Sequence, residues 1–239
     1  LSKNMNVAYV LHQTTSVGGG AKSFMQMLKG LMQKGVHPYV IMPDRQDLFY
    51  DIERMDISTF VVTFKNATSP DVPTLKDIFL FLPRLFARIL INWKAAKAIV
   101  NYLSDKQIDL IYNNVSVCDV GFRAAHIMNI PHIYHVREYG DIDFHYHYFP
   151  SRRVFLKRLH SLGSYSVFIT KDIHRHFNQE NNPSSRVIYN GIQPKADTMP
   201  TAECGNYFLY AGKVTQPKGL YELLTAYQAY QAATSAPLP

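Results

Sequence analysis

Apolar residues recur along this chain with two alternating spacings, which predict strands and helices in turn. Asn6–Leu11 is a short apolar run typical of a strand, and Ala21–Lys34 repeats its apolar residues along one helical face. Strands that alternate with helices of about 10–20 residues indicate an α/β fold, a Rossmann-like parallel sheet with helices on both faces. The same patterns predict strands at 37–42, 59–64, 109–112, 132–136, 166–169 and 186–189, and helices at 85–103, 120–128 and 152–162.

The pattern changes after residue 190, which predicts a domain boundary. Residues 5–190 form the predicted first domain. Residues 191–205 contain Pro194, Pro200 and Gly205 with almost no apolar periodicity, so they are a predicted linker.

The last segment, residues 206–239, predicts one strand-helix unit of a truncated second domain. Tyr207–Ala211 is the expected strand, and Leu220, Leu224 and Tyr227 lie on the expected helix. An unpaired strand edge and an apolar helix face both need cover. This segment is therefore expected to pack on the first domain, to be disordered, or to join two copies in a homodimer, and we favour association.

Composition narrows the class of protein. Of 239 residues, 47% are hydrophobic and 18% charged, which excludes a disordered chain. The net charge of +7 is compatible with nucleic acid, an anionic membrane or a phosphorylated small molecule. No zinc-finger, RNP or helix-turn-helix signature is present, so we expect no nucleic-acid partner.

Two cysteines, Cys118 and Cys204, and no apolar leader indicate the cytoplasm, and residues 1–4 are expected to be an added segment before Met5.

The richest apolar run, Ile78–Ile91, is interrupted by Pro83, Arg84 and Arg88, so it is not expected to span a bilayer. The helix around 83–97 is basic beside a wide apolar face. Peripheral docking on anionic lipid is one interpretation, and a core helix with a solvated basic edge is the other.

A glycine-rich loop, Gly18–Gly20, joins the first strand to the first helix. Glycines at this position let backbone N–H groups approach a phosphate or a sugar. The P-loop pattern fails because Ser16 and Ala21 replace its glycines, and the dinucleotide pattern fails at Ser23. A ligand-contacting loop and a tight turn without ligand both remain open.

Three polar residues, His135, Arg137 and Glu138, follow a predicted strand directly. Ligands of open α/β sheets bind outside the carboxyl ends of the strands. His135 is therefore placed to exchange a proton, and Arg137 to bind an anionic group. The alternative is an Arg137–Glu138 ion pair that closes the strand, with His135 simply packed.

Metal binding has weak support. Asp141 and Asp143 match the short Asp-x-Asp pattern that holds a divalent cation in many nucleotide-sugar enzymes. The histidines lack a third ligand at zinc spacing, so we expect them to be solvated rather than metal-bound. They occur as the pairs His145 with His147 and His174 with His176.

Four segments in this order resemble the group one glycosyltransferases, the retaining GT-B enzymes of family four, over about residues 5–230. They are the loop Gly18–Gly20, His135-x-Arg137-Glu138, Val187–Ile192, and Gly212–Gly219 with its two lysines. The resemblance implies transfer of a sugar from a nucleotide sugar to an acceptor between two Rossmann-like domains. It implies no metal and no cofactor, the nucleotide sugar being a substrate.

The resemblance also implies roles for individual residues. The catalytic group comprises His135, which would contact the transferred sugar, with Arg137 and Glu138. Lys213 and Lys218 would neutralise the donor diphosphate, although an arginine is expected at the first of these positions. The substrate-binding set is Gly18, Gly19, Gly20, Asn190 and Gly191.

The family's paired glutamates would lie beyond residue 239, so we expect this chain alone to be inactive. The acceptor is expected to be a sugar or a lipid-linked molecule of cell-surface polysaccharide or glycolipid synthesis, at the inner face of the membrane. Two alternatives remain: a non-catalytic carbohydrate- or lipid-binding module, and a nicotinamide-dependent oxidoreductase. The broken glycine pattern disfavours the oxidoreductase.

Overall fold

The computed structural model describes residues 4–69, 75–191, 205–212, 214 and 218–239. The chain divides into two compact units, Leu1–Gly191 and Ile192–Pro239. The strands are β1 Met5–Val10, β2 Val36–Met42, β3 Ser58–Val61, β4 Thr68–Ser69, β5 Leu110–Asn113, β6 His132–Val136, β7 His147–Tyr148, β8 Ser164–Phe168 and β9 Ser185–Val187. The helices are α1 Gly19–Met32, α2 Asp47–Glu53, α3 Leu75–Leu103, α4 Val120–Met128, α5 Asp141–Phe144, α6 Arg152–Leu159, α7 Lys171–His176 and α8 Leu220–Ala233.

Seven strands of the first unit form one parallel sheet in the order β3-β2-β1-β5-β6-β8-β9. Alternate residues of β1 enter two hydrophobic clusters: Ala8 and Val10 pack with α3 and α4, whereas Val7 and Tyr9 pack with α1 and α2. The predicted Rossmann-like fold with helices on both faces is therefore confirmed. A separate two-stranded pair, β4 with β7, is antiparallel.

The strand order reverses between β1 and β5, because the chain builds outward from β1 through β2 and β3 before it returns to β5. In such sheets the loops on either side of this point diverge and leave a crevice at the carboxyl ends of the strands. The loop that leads into α1 and the loops after β5 and β6 lie at this edge.

The structure corrects two expectations about local structure. Tyr207–Ala211 is not a strand: no described residue pairs with it as one, and Phe208 N donates to the Pro239 carbonyl (2.8 Å) while its ring packs against Tyr227 and Tyr230. The helix predicted from residue 85 begins ten residues earlier and continues through Pro83, which removes only one backbone hydrogen bond.

In the second unit, α8 buries no side chain fully. The expected association of two copies through residues 206–239 stays a prediction. In the described part of the chain, no helix is long and apolar enough to cross a membrane.

A buried carboxylate, Asp119, ties three helices together under one face of the sheet. It is 2% exposed, forms ion pairs with Arg123 of α4 (2.8 Å) and Arg158 of α6 (3.2 Å), and accepts from Asn92 Nδ2 of α3 (2.8 Å). Asn92 also bonds both backbone groups of Lys65. Two arginines and an amide thus satisfy one desolvated charge.

We expect Asp119→Ala to lower the free energy of unfolding by about 3–5 kcal/mol, because it leaves two arginines without their buried partner. Urea unfolding measures the change. The matched control is Asp172→Ala, which removes an exposed ion pair with Arg175 and should cost less than about 1 kcal/mol. Equal losses in the two variants would contradict the structural role of Asp119.

Candidate functional site

Arg137, one residue beyond β6, is the centre of the polar groups at the carboxyl edge of the sheet. Its Nε donates to the Asn114 carbonyl (3.2 Å) and its Nη2 to Asn114 Oδ1 (3.0 Å). Its Nη1 donates to Ser23 Oγ of α1 (3.0 Å) and to Asn190 Oδ1 (3.3 Å). One guanidinium therefore joins the segments that follow β1, β5, β6 and β9.

Every one of these acceptors is uncharged. Burial lowers the pKa of Arg137, and no described carboxylate forms an ion pair with it. The Arg137–Glu138 ion pair considered above is therefore absent from the described residues. The other half of that interpretation, a packed His135, agrees with an exposed fraction of 6%. A half-buried cation without a counter-ion makes this edge of the sheet attractive to an anion.

The glycine loop lies beside this cation, since Ser23 sits in the second turn of α1. Gly18 precedes α1 with φ of 124°, a conformation that favours glycine. A Cβ at Gly18, Gly19 or Gly20 would meet nothing within 4 Å, so the loop surface is open. The unpaired N–H groups at the start of α1 add a positive end of the helix dipole.

A cleft of about 490 Å³ opens between α1 and α2 next to this loop. Its walls combine apolar side chains with amines, an amide, a hydroxyl and one carboxylate. They are Ser16, Ala21, Lys22, Met25, Gln26, Lys29, Leu48, Asp51 and Met55.

His135 lies on the α1 side of the sheet, where it contacts Tyr112 of β5. The parallel register pairs Tyr112 with Ile133, so Tyr112 and His135 are diagonal neighbours on one face. The Tyr112 hydroxyl lies 2.6 Å from His135 Nδ1 and 3.5 Å from Met27 Sδ. The tautomer of His135 decides whether the hydroxyl or Nδ1 donates in the shorter contact.

His135 is held neutral. Burial, and secondarily Arg137, lowers the pKa of His135 to about 3. His135 Nε2 is buried and has no hydrogen-bond partner among the described residues. An unpaired buried polar atom is costly, about 1–3 kcal/mol, and is typical of functional sites.

Glu138 has no hydrogen bond or ion pair with a described residue. Burial, and then the Asp143 carboxylate, raises the pKa of Glu138. Asn190 of the predicted substrate-binding set accepts from Arg137 and from Ser23 Oγ (3.4 Å), and Gly191 has open space where a Cβ would stand. Of the predicted donor-site lysines, Lys218 is exposed and Lys213 lies outside the described residues.

The Asp-x-Asp carboxylates are engaged within the protein. Asp141 accepts from His176 Nε2 (2.8 Å) and pairs with Arg152, and Asp143 accepts from Tyr139 N (3.0 Å). Across the described ranges, no three His, Cys, Asp or Glu side chains are placed to hold a metal ion.

Arg137, His135, Asn190 and the glycine loop were predicted from the sequence, and their roles stay predictions. Tyr112, Ser23 and Asn114, which bond His135 and Arg137, were not predicted. The pattern Ile-Tyr-Asn-Asn at the end of β5 was the available signal, since polar residues there abut the next strand's carboxyl end.

Solved structures show the same fold. HepE of Anabaena, in complex with UDP and glucose, is 19% identical with a TM-score of 0.55, over 79% of this chain and 45% of HepE. MurG of Acinetobacter baumannii is 14% identical with a TM-score of 0.56, over 94% and 57%. A glycosyltransferase of Rickettsia africae is 16% identical with a TM-score of 0.52, over 98% and 51%. The chain thus spans about half the length of these proteins.

The fold is that of a Rossmann-like unit of the GT-B glycosyltransferases. A search among curated proteins finds no match. The model of Glycosyltransferase Family 4 matches residues 17–196, which is most of the chain. The chain belongs to Glycosyltransferase Family 4, and the resemblance seen in its sequence is confirmed.

We expect stability to fall as the pH drops from 7 to 5. His12, His132 and His135 have pKa values lowered to about 4, 3 and 3, chiefly by burial, so they stay neutral in the folded state while the unfolded chain takes up protons below about pH 6.5. Each contributes a loss of up to about 1.4 kcal/mol per pH unit below that value.

Urea unfolding at pH 7, 6 and 5 measures this slope. His135→Gln removes one of the three histidines. The unfolding free energy should then depend less steeply on pH, because about one proton fewer is taken up on unfolding. Identical slopes in the variant and the natural protein would contradict a neutral buried His135.

Proposed function

We propose that the protein containing this chain transfers a sugar from a nucleotide sugar to an acceptor, with retention at the anomeric carbon. The observation that carries this proposal is the unpaired charge of Arg137, held beside the open N-terminus of α1 at the reversal of the strand order. The UDP and glucose in HepE make a uridine nucleotide sugar the first donor to test.

In the proposed reaction the bond between the sugar C1 and the diphosphate oxygen breaks, and the acceptor hydroxyl oxygen bonds to C1. The acceptor proton leaves with the diphosphate. Negative charge develops on the leaving group, so fixed positive groups aimed at it supply most of the rate enhancement. Arg137 and the α1 N-terminus are proposed to supply this positive charge. That Lys213 and Lys218 bind the donor diphosphate stays a prediction.

His135 and Glu138 are proposed to bind hydroxyl groups. The Nε2–H of His135 would donate to a hydroxyl of the transferred sugar, and Glu138, which lacks a described partner, would accept from a sugar hydroxyl. The cleft between α1 and α2 combines apolar walls with amines, an amide and a hydroxyl, which suits a sugar or lipid-linked acceptor. Synthesis of cell-surface polysaccharide or glycolipid in the cytoplasm is the setting we infer.

Replacing His135 should impair transfer while the fold persists. We expect His135→Ala, and the larger His135→Gln, to lower the rate by about 100-fold, since a lost preorganised donor typically costs this much. The assay follows transfer of labelled sugar from nucleotide sugars by the whole protein. The control is His126→Ala, an exposed position at the opposite, amino-terminal edge of the sheet. Full activity in both His135 variants would refute the role.

We also propose that transfer needs no divalent cation. The support is that Asp141 and Asp143 already bond His176, Arg152 and the Tyr139 amide. Excess EDTA should therefore leave the initial rate unchanged. Loss of activity that added Mg²⁺ or Mn²⁺ restores would contradict this.

A further inference from the structure

The first half of α3 presents large apolar side chains to solvent. Phe79 is 83% exposed, Phe86 72% and Leu82 68%, and Leu90 and Trp93 are each more than 40% exposed. Their spacing of three and four residues places them along one side of the helix. We name these five residues the α3 stripe. Exposed contiguous apolar surface of this kind on a protein marks an interaction site.

The second half of the same helix is packed conventionally. Asn92, Ala95, Ala96, Ile99 and Leu103 are buried, and they anchor α3 to the cluster beneath the sheet. The first half has no fully buried residue between 79 and 91. The helix that carries the α3 stripe is thus held to the sheet by its C-terminal half, and its N-terminal half is exposed.

Charge around the α3 stripe has one sign. No acidic residue occurs between positions 78 and 104, whereas Lys94 and Lys97 are exposed near the Trp93 end of the stripe. Lys97 Nζ lies 3.7 Å from the centre of the Trp93 ring, so an ammonium and an amphipathic aromatic stand together at one end of the stripe. This pairing is typical of side chains at a membrane–water interface.

We propose that the α3 stripe docks peripherally on an anionic phospholipid surface. Apolar side chains would enter the boundary between headgroups and acyl chains, and the flanking basic residues would contact the lipid phosphates. A second copy of this chain fits less well, because it would place two basic helices against each other in a protein of net charge +7. The inference goes beyond the proposed sugar transfer and does not depend on it.

Sedimentation of the 239-residue chain with vesicles tests the proposal. We expect binding to vesicles of phosphatidylglycerol with phosphatidylcholine, weaker binding at higher salt, and little binding to phosphatidylcholine alone. Leu82→Glu should weaken binding at least about tenfold, because it places a carboxylate in the stripe. Lys94→Gln should weaken it about fivefold.

Matched controls share the chemistry but not the location. Leu162→Glu alters a fully exposed leucine in the turn after α6, and Lys34→Gln alters an exposed lysine after α1. Neither should change binding. Because Leu82 and Leu162 are exposed, we expect both glutamate variants to stay folded, which circular dichroism checks.

Three outcomes would overturn the proposal. They are no binding to anionic vesicles, equal effects of the stripe variants and their controls, and a dimer by light scattering that Leu82→Glu dissociates while vesicle binding is unchanged. Vesicle binding is measured without donor or acceptor, so a failure to bind vesicles does not contradict the proposed sugar transfer. Conversely, a protein that binds vesicles but transfers no sugar does not contradict the proposed docking.

Discussion

The guanidinium of Arg137 fixes the relative positions of segments that follow four different strands. Ser23 after β1, Asn114 after β5 and Asn190 after β9 all accept from it, while Arg137 itself follows β6. Hydrogen bonds from a charged donor contribute about 1.5–3 kcal/mol each, so this cluster offsets much of the desolvation of the cation. The neutral acceptors hold the group in place without cancelling its charge.

Asp119 shows the opposite arrangement on the other face of the sheet. It is almost fully buried, and its carboxylate is paired with two arginines and an amide. These contacts join α3, α4 and α6. Asp119 and Arg137 thus show two different roles of a buried charge in this unit. A paired carboxylate holds helices to the sheet, and an unpaired guanidinium at the strand ends remains to attract a ligand.

His135 is a neutral group that is likewise held in place and left with one atom that lacks a described partner. Tyr112 fixes one ring nitrogen, burial and Arg137 keep the ring uncharged, and the other nitrogen is left without a described partner. We propose that a site with one fixed cation and one oriented neutral imidazole suits a ligand that is charged at one end and hydroxylated at the other. A nucleotide sugar has this character.

The sequence by itself determined the seven strands of the parallel sheet, the helices α1, α3, α4 and α6, and the residues at the strand ends. The bounds of β6 and α4 agree with those predicted, because both have clear periodicity and end at polar residues or at a helix-terminating asparagine. It did not determine the short helices α2 and α7, whose seven and six residues carry too little periodic signal. The predicted strand at Tyr207–Ala211 was wrong because an apolar run becomes a strand only where another strand pairs with it.

Only the tertiary structure decided which partners the polar residues chose. Glu138 is adjacent to Arg137 in sequence, yet Arg137 turns to Asn114, a residue 23 positions earlier, because the register of β5 and β6 brings those two strand ends together. The same holds for α3, whose apolar pattern is continuous while its two halves differ in burial. Local pattern sets which residues form a helix or strand, but burial and pairing depend on segments distant in the chain.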